Sequence, residues 1–211
     1  MNLELYVITD EAIAGGRSHA EIACHAIAGG ADVIQLRDKE CGDREICRIG
    51  KTIRAITRQT GTLFIINDRL DVALACGADG VHLGQGDVRA DVARQIAPPG
   101  FIIGVSVGNV EEALAAEEAG AGYVAISPVF STTSKGDAGP GLGCNTLRDI
   151  TSRVSIPVIA IGGITRDNVR EVIAAGADGV AVISAVTGRP DITAAARELK
   201  DLITRCKLER F

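Results

Sequence analysis

The segment Gln35-Leu36-Arg37-Asp38-Lys39 follows a strand-like apolar run and carries two cations and an amide. The two-residue period of a strand places that amide, Arg37 and Lys39 on one face, and Ile34 and Leu36 on the other. An unpaired cation in a partly buried place is costly unless an anion binds beside it. These residues therefore predict an anionic substrate, and pairing with nearby acids such as Asp38 or Asp68 is the alternative.

Carboxylates follow the next two strand-like runs of the chain. Asp68 comes at the end of Ile65-Ile66-Asn67-Asp68-Arg69, and Asp87 closes His82-Leu83-Gly84-Gln85-Gly86-Asp87. Carboxylates beside bound phosphate are the ligands that Mg2+ prefers in proteins, so this pair predicts a magnesium site. One alternative is that these carboxylates act as a general acid or base. Another is that Asp87 has no chemical role and is the N-cap of the next helix. His82 is interpreted as a packed core histidine.

A long segment rich in glycine and hydroxyl side chains, residues 127–143, follows the sixth apolar run. Loops of this length usually carry function. Thr132, Thr133 and Ser134 can donate hydrogen bonds to a phosphate, and Lys135 adds a positive charge. The segment therefore predicts a phosphate-binding loop, with a solvated connector as the alternative.

Two glycines, Gly162 and Gly163, end the seventh apolar run, and Ser184 follows the eighth. In parallel barrels the last two strand ends commonly hold a phosphate through backbone N–H groups, and glycine allows the close approach. This pattern predicts a second phosphate site.

The elements that must position these residues are short apolar runs, each followed by a helical pattern. Eight such strand candidates occur: Leu3 to Thr9, Asp32 to Leu36, Leu63 to Asn67, Gly80 to Leu83, Phe101 to Val105, Tyr123 to Ile126, Val158 to Ile161 and Gly179 to Ile183. Strands that alternate with helices indicate a parallel sheet. We therefore expect the α/β class and a (β/α)8 TIM barrel, with residues 1–211 forming one domain and the functional residues at the strand ends.

The joints between helices and strands repeat. A glycine stands before a Val-rich run at Gly29-Gly30, Gly77, Gly120 and Gly176, where it predicts a left-handed helix terminus. Ser18 with Glu21, and Asn109 with Glu112, have the spacing of capping boxes.

Composition excludes several classes of protein. The net charge of -5 leaves no basic surplus for a nucleic-acid backbone, and no apolar stretch is long enough to span a membrane. We expect a cytoplasmic protein whose partners are small phosphorylated molecules, without nucleic acid or membrane, and no oligomeric state follows from the sequence. The six cysteines form no CxxC pair and are interpreted as reduced thiols.

The motifs described above, taken in order, resemble those of the thiamine phosphate synthase family. The resemblance runs from about Leu3 to Ala185. The matching motifs are Gln35-Leu36-Arg37-Asp38-Lys39, Asn67-Asp68-Arg69, His82-Leu83-Gly84-Gln85-Gly86-Asp87, Gly104-Val105-Ser106, Pro128-Val129-Phe130-Ser131-Thr132-Thr133-Ser134-Lys135, Ile161-Gly162-Gly163-Ile164 and Ile183-Ser184.

The resemblance implies a transferase of thiamine biosynthesis. Hydroxymethylpyrimidine diphosphate loses pyrophosphate, and the nitrogen of hydroxyethylthiazole phosphate takes up the pyrimidine methylene. By this resemblance, the residues expected to bind the pyrimidine diphosphate are Gln35, Leu36, Arg37, Asp38, Lys39, Asn67, Ser106 and Lys135. Four of them are expected to be catalytic: Arg37, Lys39, Ser106 and Lys135. Its thiazole-phosphate residues are Thr132, Thr133, Ser134, Gly163, Ile183 and Ser184. The resemblance also implies a Mg2+ cofactor, with Asp68 and Asp87 as the metal ligands.

Two positions depart from the family pattern. Ser127 stands where the family usually has Gly, and Gly86 stands where an acidic or small polar residue is common. The alternatives are a thiazole tautomerase on the same barrel, a non-catalytic phosphate-ligand-binding barrel, and other phosphate-binding barrel enzymes. The tautomerase does not require the cations and carboxylates of a diphosphate site.

Overall fold

The computed structural model describes residues 1–134 and 139–209, in which eight strands alternate with eight helices. The strands are β1 (Leu5–Thr9), β2 (Val33–Leu36), β3 (Leu63–Asn67), β4 (Gly80–Leu83), β5 (Ile102–Val107), β6 (Tyr123–Ile126), β7 (Val158–Ile161) and β8 (Gly179–Val182). The helices are α1 (His19–Ala28), α2 (Asp43–Thr60), α3 (Leu70–Cys76), α4 (Ala90–Ile96), α5 (Val110–Glu118), α6 (Gly143–Thr151), α7 (Val169–Ala174) and α8 (Ile192–Leu208).

The strands pair in parallel in chain order, and β8 pairs back with β1, so the sheet is a closed barrel. This confirms the predicted (β/α)8 TIM barrel. The strands lie close to their predicted bounds, with one difference that matters for the site. β5 continues past Val105 because Ser106 and Val107 pair with Ala125 and Ile126 of β6. Ser106 is therefore a strand residue rather than a loop residue.

Apolar side chains form two cores, one on each side of the sheet. The smaller core fills the barrel and contains Tyr6, Ile65 and Tyr123, among others. The larger core lies between the strands and the helices and contains Ile34 and Leu36. The alternation predicted for β2 is therefore correct, and the polar face of this strand points into the barrel.

The repeated joints have a structural role at the amino-terminal rim. Gly30, Gly77, Gly120 and Gly176 all have positive φ, which confirms the predicted left-handed helix termini. At three joints the aspartate that follows the glycine accepts a hydrogen bond from a backbone N–H group near the start of the preceding strand. Asp32 accepts from Leu5, Asp79 from Phe64, and Asp178 from Val158, each at 2.8 Å.

Asp79→Asn is expected to lower the free energy of unfolding by about 2 to 3 kcal/mol. Asp79 also accepts two hydrogen bonds from Arg54, at 2.7 and 2.8 Å, and the variant leaves this half-buried guanidinium without its counter-charge. Urea unfolding measures the change. The matched control is Asp91→Asn, whose partner Arg89 is exposed, and which should change stability by less than about 0.5 kcal/mol. Equal losses in both variants would contradict this role of Asp79.

The helix caps and the cysteines can be compared with the predictions from the sequence. Ser18 and Glu21 form the predicted capping box. At the other predicted box Asn109 accepts from the Glu112 backbone, but the Glu112 carboxylate accepts from the Gly108 backbone rather than from that of Asn109. All six cysteines are free thiols. In the described part of the chain, no helix is both long and apolar enough to cross a membrane.

Candidate active site

Two cavities open at the carboxyl-terminal rim of the barrel. The larger cavity has a volume of about 470 Å³ and the smaller cavity about 60 Å³. Ser127, at the end of β6, lines both cavities, so ligands bound in them would be neighbours. The larger cavity brings together most of the predicted pyrimidine-diphosphate and metal residues: Arg37, Lys39, Asn67, Asp68, Asp87 and Ser106.

Arg37 is the more enclosed of the two cations in the larger cavity. Its side chain is 10% exposed, and Nη1 lies 3.5 Å from Oδ2 of Asp10, in the loop after β1. The alternative from the sequence, that a carboxylate pairs with Arg37, is therefore partly correct, although the partner is Asp10 rather than Asp38 or Asp68. At this distance the guanidinium keeps further N–H groups for an anion.

Asp38 holds the loop after β2. It accepts hydrogen bonds from the backbone N–H groups of Glu40 and Cys41, and His19 Nε2 lies 3.2 Å from its Oδ2. Burial opposes its ionisation, but these hydrogen bonds outweigh burial and lower the pKa of Asp38 to about 2. The structure thus places Asp38 behind the loop, where it positions Arg37 and Lys39.

Two other residues of the predicted segment are buried in the cores. Gln35 is 2% exposed and donates to the Tyr6 hydroxyl at 2.7 Å inside the barrel. Leu36 is 1% exposed and packs in the outer core. The side chain of Leu36 therefore has no path to a ligand at the rim, and only its backbone could contribute there.

Asp68 and Asp87 both line the larger cavity, and the charge of Asp87 acts on the Asp68 carboxyl. Burial raises the pKa of Asp68, and the Asp87 carboxylate raises it further, to about 6, against the opposing effects of Lys39 and Asn67. Two carboxylates held this closely repel each other once both are ionised, and a cation between them would relieve the repulsion.

Asp87 is not a helix N-cap, so that alternative is wrong. Helix α4 begins at Ala90 with Arg89 as its N-cap residue. Asp87 instead accepts a hydrogen bond from the Gly84 backbone at 2.7 Å, which closes the loop after β4 and holds this carboxylate at the cavity. Asp68 is held by a left-handed backbone with φ of 63°, a conformation that Asp and Asn tolerate better than most residues.

His82 was interpreted from sequence as a packed core residue, and the structure gives it a second role. It is 8% exposed, yet it lines the larger cavity and lies 2.9 Å from Ser106 Oγ through Nε2 and 3.0 Å from the Tyr123 hydroxyl through Nδ1. The sequence feature that could have indicated these contacts of His82 was Gly104, in the middle of β5. A Cβ atom there would come within 2.1 Å of the Tyr123 ring, so glycine makes room for this tyrosine.

The smaller cavity brings together most of the predicted thiazole-phosphate residues. It is lined by Thr132, Ser134, Gly163, Ile183 and Ser184, among others. Ser134 Oγ donates to Ser184 Oγ at 3.1 Å, which ties the loop after β6 to the end of β8. Thr133 is exposed and is not among the residues that line this cavity. Lys135 lies outside the described residues, so its predicted role stays a prediction.

Asn168, which the sequence reading missed, holds the glycine turn of the smaller cavity. Its Nδ2 donates to the Gly163 carbonyl at 2.9 Å, and its Oδ1 accepts from the Thr165 backbone at 2.8 Å. Gly163 has φ of 62°, and a Cβ there would lie 2.6 Å from the Ser131 carbonyl oxygen. Backbone conformation and space therefore both require glycine.

Gly163→Ala is expected to raise KM for the ligand of the smaller cavity about tenfold, because the added methyl group pushes the Ser131 segment away from β7. Steady-state kinetics measure this, with Gly42→Ala as the control, since nothing lies within 4 Å of a Cβ at Gly42. An unchanged KM in Gly163→Ala, with the protein folded, would remove the smaller cavity from the ligand site.

Comparisons with known proteins agree with this arrangement. A family model described as thiamine monophosphate synthase matches residues 5–186. A thiamine-phosphate synthase of Methanoregula boonei is 71% identical over 98% of this chain and 96% of its own. One of Methanoculleus marisnigri is 59% identical over 99% of both chains. The solved thiamine phosphate pyrophosphorylase of Pyrococcus furiosus has a TM-score of 0.90, at 47% identity and 97% coverage of both chains.

The chain therefore belongs to the thiamine monophosphate synthase family and is a transferase.

Proposed function

We propose that this transferase joins hydroxymethylpyrimidine diphosphate to hydroxyethylthiazole phosphate in a Mg2+-dependent alkyl transfer. The thiazole nitrogen forms a bond to the pyrimidine methylene carbon, the bond from that carbon to the diphosphate oxygen breaks, and pyrophosphate leaves with the electron pair. The observation that carries this proposal is the pair of cavities that share Ser127. One cavity offers cations and carboxylates for a diphosphate, and the other offers hydroxyls and glycines for a phosphate.

The donor set of the larger cavity fits Mg2+. Asp68 and Asp87 supply carboxylate oxygens only, which suits a hard cation, and their mutual repulsion gives the ion a stabilising role. No group of three or more His, Cys, Asp or Glu that could hold a metal occurs among the described residues, so phosphate oxygens and waters would complete the coordination. Bound there, Mg2+ would neutralise charge on the leaving pyrophosphate.

Arg37 and Lys39 would stabilise the leaving group directly. Departure of pyrophosphate concentrates negative charge on the bridging oxygen, and preorganised N–H donors in a partly buried cavity are most effective where charge develops. Arg37 lies in a loose ion pair with Asp10, and the loop that carries Lys39 is held by Asp38. Lys135 would add a further cation from the loop after β6.

The smaller cavity would hold the phosphate of the thiazole substrate. Gly163 permits close approach of a ligand to the backbone, and Ser134 and Ser184 offer hydroxyl donors. The backbone N–H groups of Ser184 and Ala185 would add donors, since the N–H groups that bond back within the turn after β8 begin at Val186.

A thiazole tautomerase would use the smaller cavity alone. The cations and paired carboxylates of the larger cavity favour the transferase, because an isomerase without a diphosphate does not need them. A non-catalytic binding protein would be expected to have lost the metal carboxylates, and Asp68 and Asp87 are both present.

The test is an assay for thiamine phosphate with each substrate alone and with both together. We expect product only with both substrates, with pyrophosphate released in equal amount. Isomerisation or binding of the thiazole phosphate, without coupled product, would overturn the proposal in favour of the tautomerase or the binding protein.

A further inference from the structure

A line of buried polar side chains crosses the barrel beneath the larger cavity. Gln35 Nε2 lies 2.7 Å from Tyr6 Oη, which lies 3.0 Å from Tyr123 Oη. Tyr123 Oη lies 3.0 Å from His82 Nδ1, and His82 Nε2 lies 2.9 Å from Ser106 Oγ. The first four side chains are at most 8% exposed, whereas Ser106 reaches the cavity.

The amide at one end gives this line a direction. An amide nitrogen can only donate, so Tyr6 Oη accepts a hydrogen bond from Gln35 and must donate its own O–H to a different acceptor. Within the described part of the chain, the acceptor in hydrogen-bond range of Tyr6 Oη is Tyr123 Oη. Burial raises the pKa of both phenols, so both keep their protons. Tyr6 therefore donates to Tyr123.

The direction continues through the imidazole. Tyr123 accepts from Tyr6 and donates its proton to His82 Nδ1. An imidazole that accepts at Nδ1 carries its proton on Nε2, and Nε2 then donates to Ser106 Oγ. Since that oxygen is already an acceptor, the Ser106 proton is available toward the cavity.

The packing maintains this line. The ring of Tyr123 stacks on His82, with centroids 5.7 Å apart, and contacts Tyr6 edge-on at 6.0 Å. Gly104 leaves the space that the Tyr123 ring occupies. Aliphatic residues would fill a barrel interior at lower cost than five polar groups that all need partners, so the line is not explained by core packing.

We propose that Gln35, Tyr6, Tyr123 and His82 form a directed hydrogen-bond chain that holds the Ser106 hydroxyl as a donor to an acceptor atom of the pyrimidine diphosphate. The role of Ser106 toward that substrate rests on the proposed function, but the direction of the chain does not. Tyr123 and His82 are positioning residues that act through Ser106, and Tyr6 and Gln35 orient them.

The direct test is the tautomer of His82 in the ligand-free protein. With only three histidines, 15N-histidine labelling and two-bond 1H–15N correlation spectra resolve each ring, and His82→Gln assigns the signals. We expect the proton of His82 on Nε2 and an unprotonated Nδ1. A proton on Nδ1 would overturn the proposal, whatever reaction the enzyme catalyses.

Tyr123→Phe and Tyr6→Phe form a matched pair for the functional consequence. Tyr123→Phe removes the donor to Nδ1, so the Nε2 tautomer should lose its preference and kcat/KM for the pyrimidine diphosphate should fall about tenfold. Tyr6→Phe keeps the Tyr123 hydroxyl but removes the donor that sets its direction, so the Nε2 tautomer should be only partly lost and the fall in kcat/KM should stay within about threefold. KM for the thiazole phosphate should not change in either variant. Equal losses in both variants, or an unchanged tautomer in Tyr123→Phe, would contradict the directed chain.

Discussion

Asp68→Asn is expected to lower kcat by about a hundredfold or more, because it removes one of the two carboxylates proposed to hold Mg2+. Asn preserves the size of the side chain and tolerates the left-handed backbone at this position. Steady-state kinetics at saturating Mg2+ measure the loss. Asp71→Asn, at an exposed position on α3, is the control and should retain wild-type kcat. A wild-type kcat in Asp68→Asn would exclude Asp68 as a metal ligand.

The same variant is expected to be more stable than the wild type without metal. The pKa of Asp68 rises from 3.8 to about 6 on folding, so between these values the folded state binds more protons than the unfolded state. The free energy of unfolding therefore falls as the pH rises through this window, and the full destabilisation is present above it. Asp68→Asn should raise the metal-free Tm at about pH 7.5 and leave it nearly unchanged at about pH 4. A higher wild-type Tm at the upper pH would contradict the pairing of Asp68 with Asp87.

Arg37→Ala is expected to lower kcat/KM for the pyrimidine diphosphate by at least about 1.5 to 3 kcal/mol, or roughly one charge-assisted hydrogen bond. The side chain is largely enclosed, and its partner Asp10 leaves N–H groups available to the leaving group. The loss should appear in kcat as well as KM, because the charge on pyrophosphate grows as the bond breaks.

Asp10→Asn is the control that separates two effects of Arg37: the action of its charge on the ligand, and its positioning by Asp10. It removes the carboxylate that lies 3.5 Å from Arg37 but keeps the guanidinium. We expect a loss of less than about fivefold, because this ion pair is loose. An Arg37→Ala variant that binds and turns over substrate as the wild type does would refute the role of Arg37 in stabilising the leaving group.

The fold could be predicted almost completely because local signals agreed with one another. Apolar runs of strand length, left-handed glycines such as Gly77, and caps such as Ser18 each specify the start or end of an element. The misplaced boundary, at the end of β5, depends on pairing between Ser106 and Ala125. Pairing between strands is a long-range contact that local patterns do not contain.

The site could be predicted in its residue types but not in its contacts. Alternation along β2 placed Arg37 at the rim correctly, yet its partner Asp10 comes from another strand end. The role of His82 required knowledge of Tyr123, which lies 41 positions away in the chain. Leu36 entered the candidate set through its motif, and its side chain proved to face the helices.

The most direct test of the proposed chemistry is the initial rate of thiamine phosphate formation from both substrates, measured first in EDTA and then after Mg2+ is restored. We expect no measurable rate in EDTA and full recovery with Mg2+, because Asp68 and Asp87 without a cation would oppose a bound diphosphate. An equal rate in EDTA would contradict the proposal that these carboxylates hold a metal ion for the reaction.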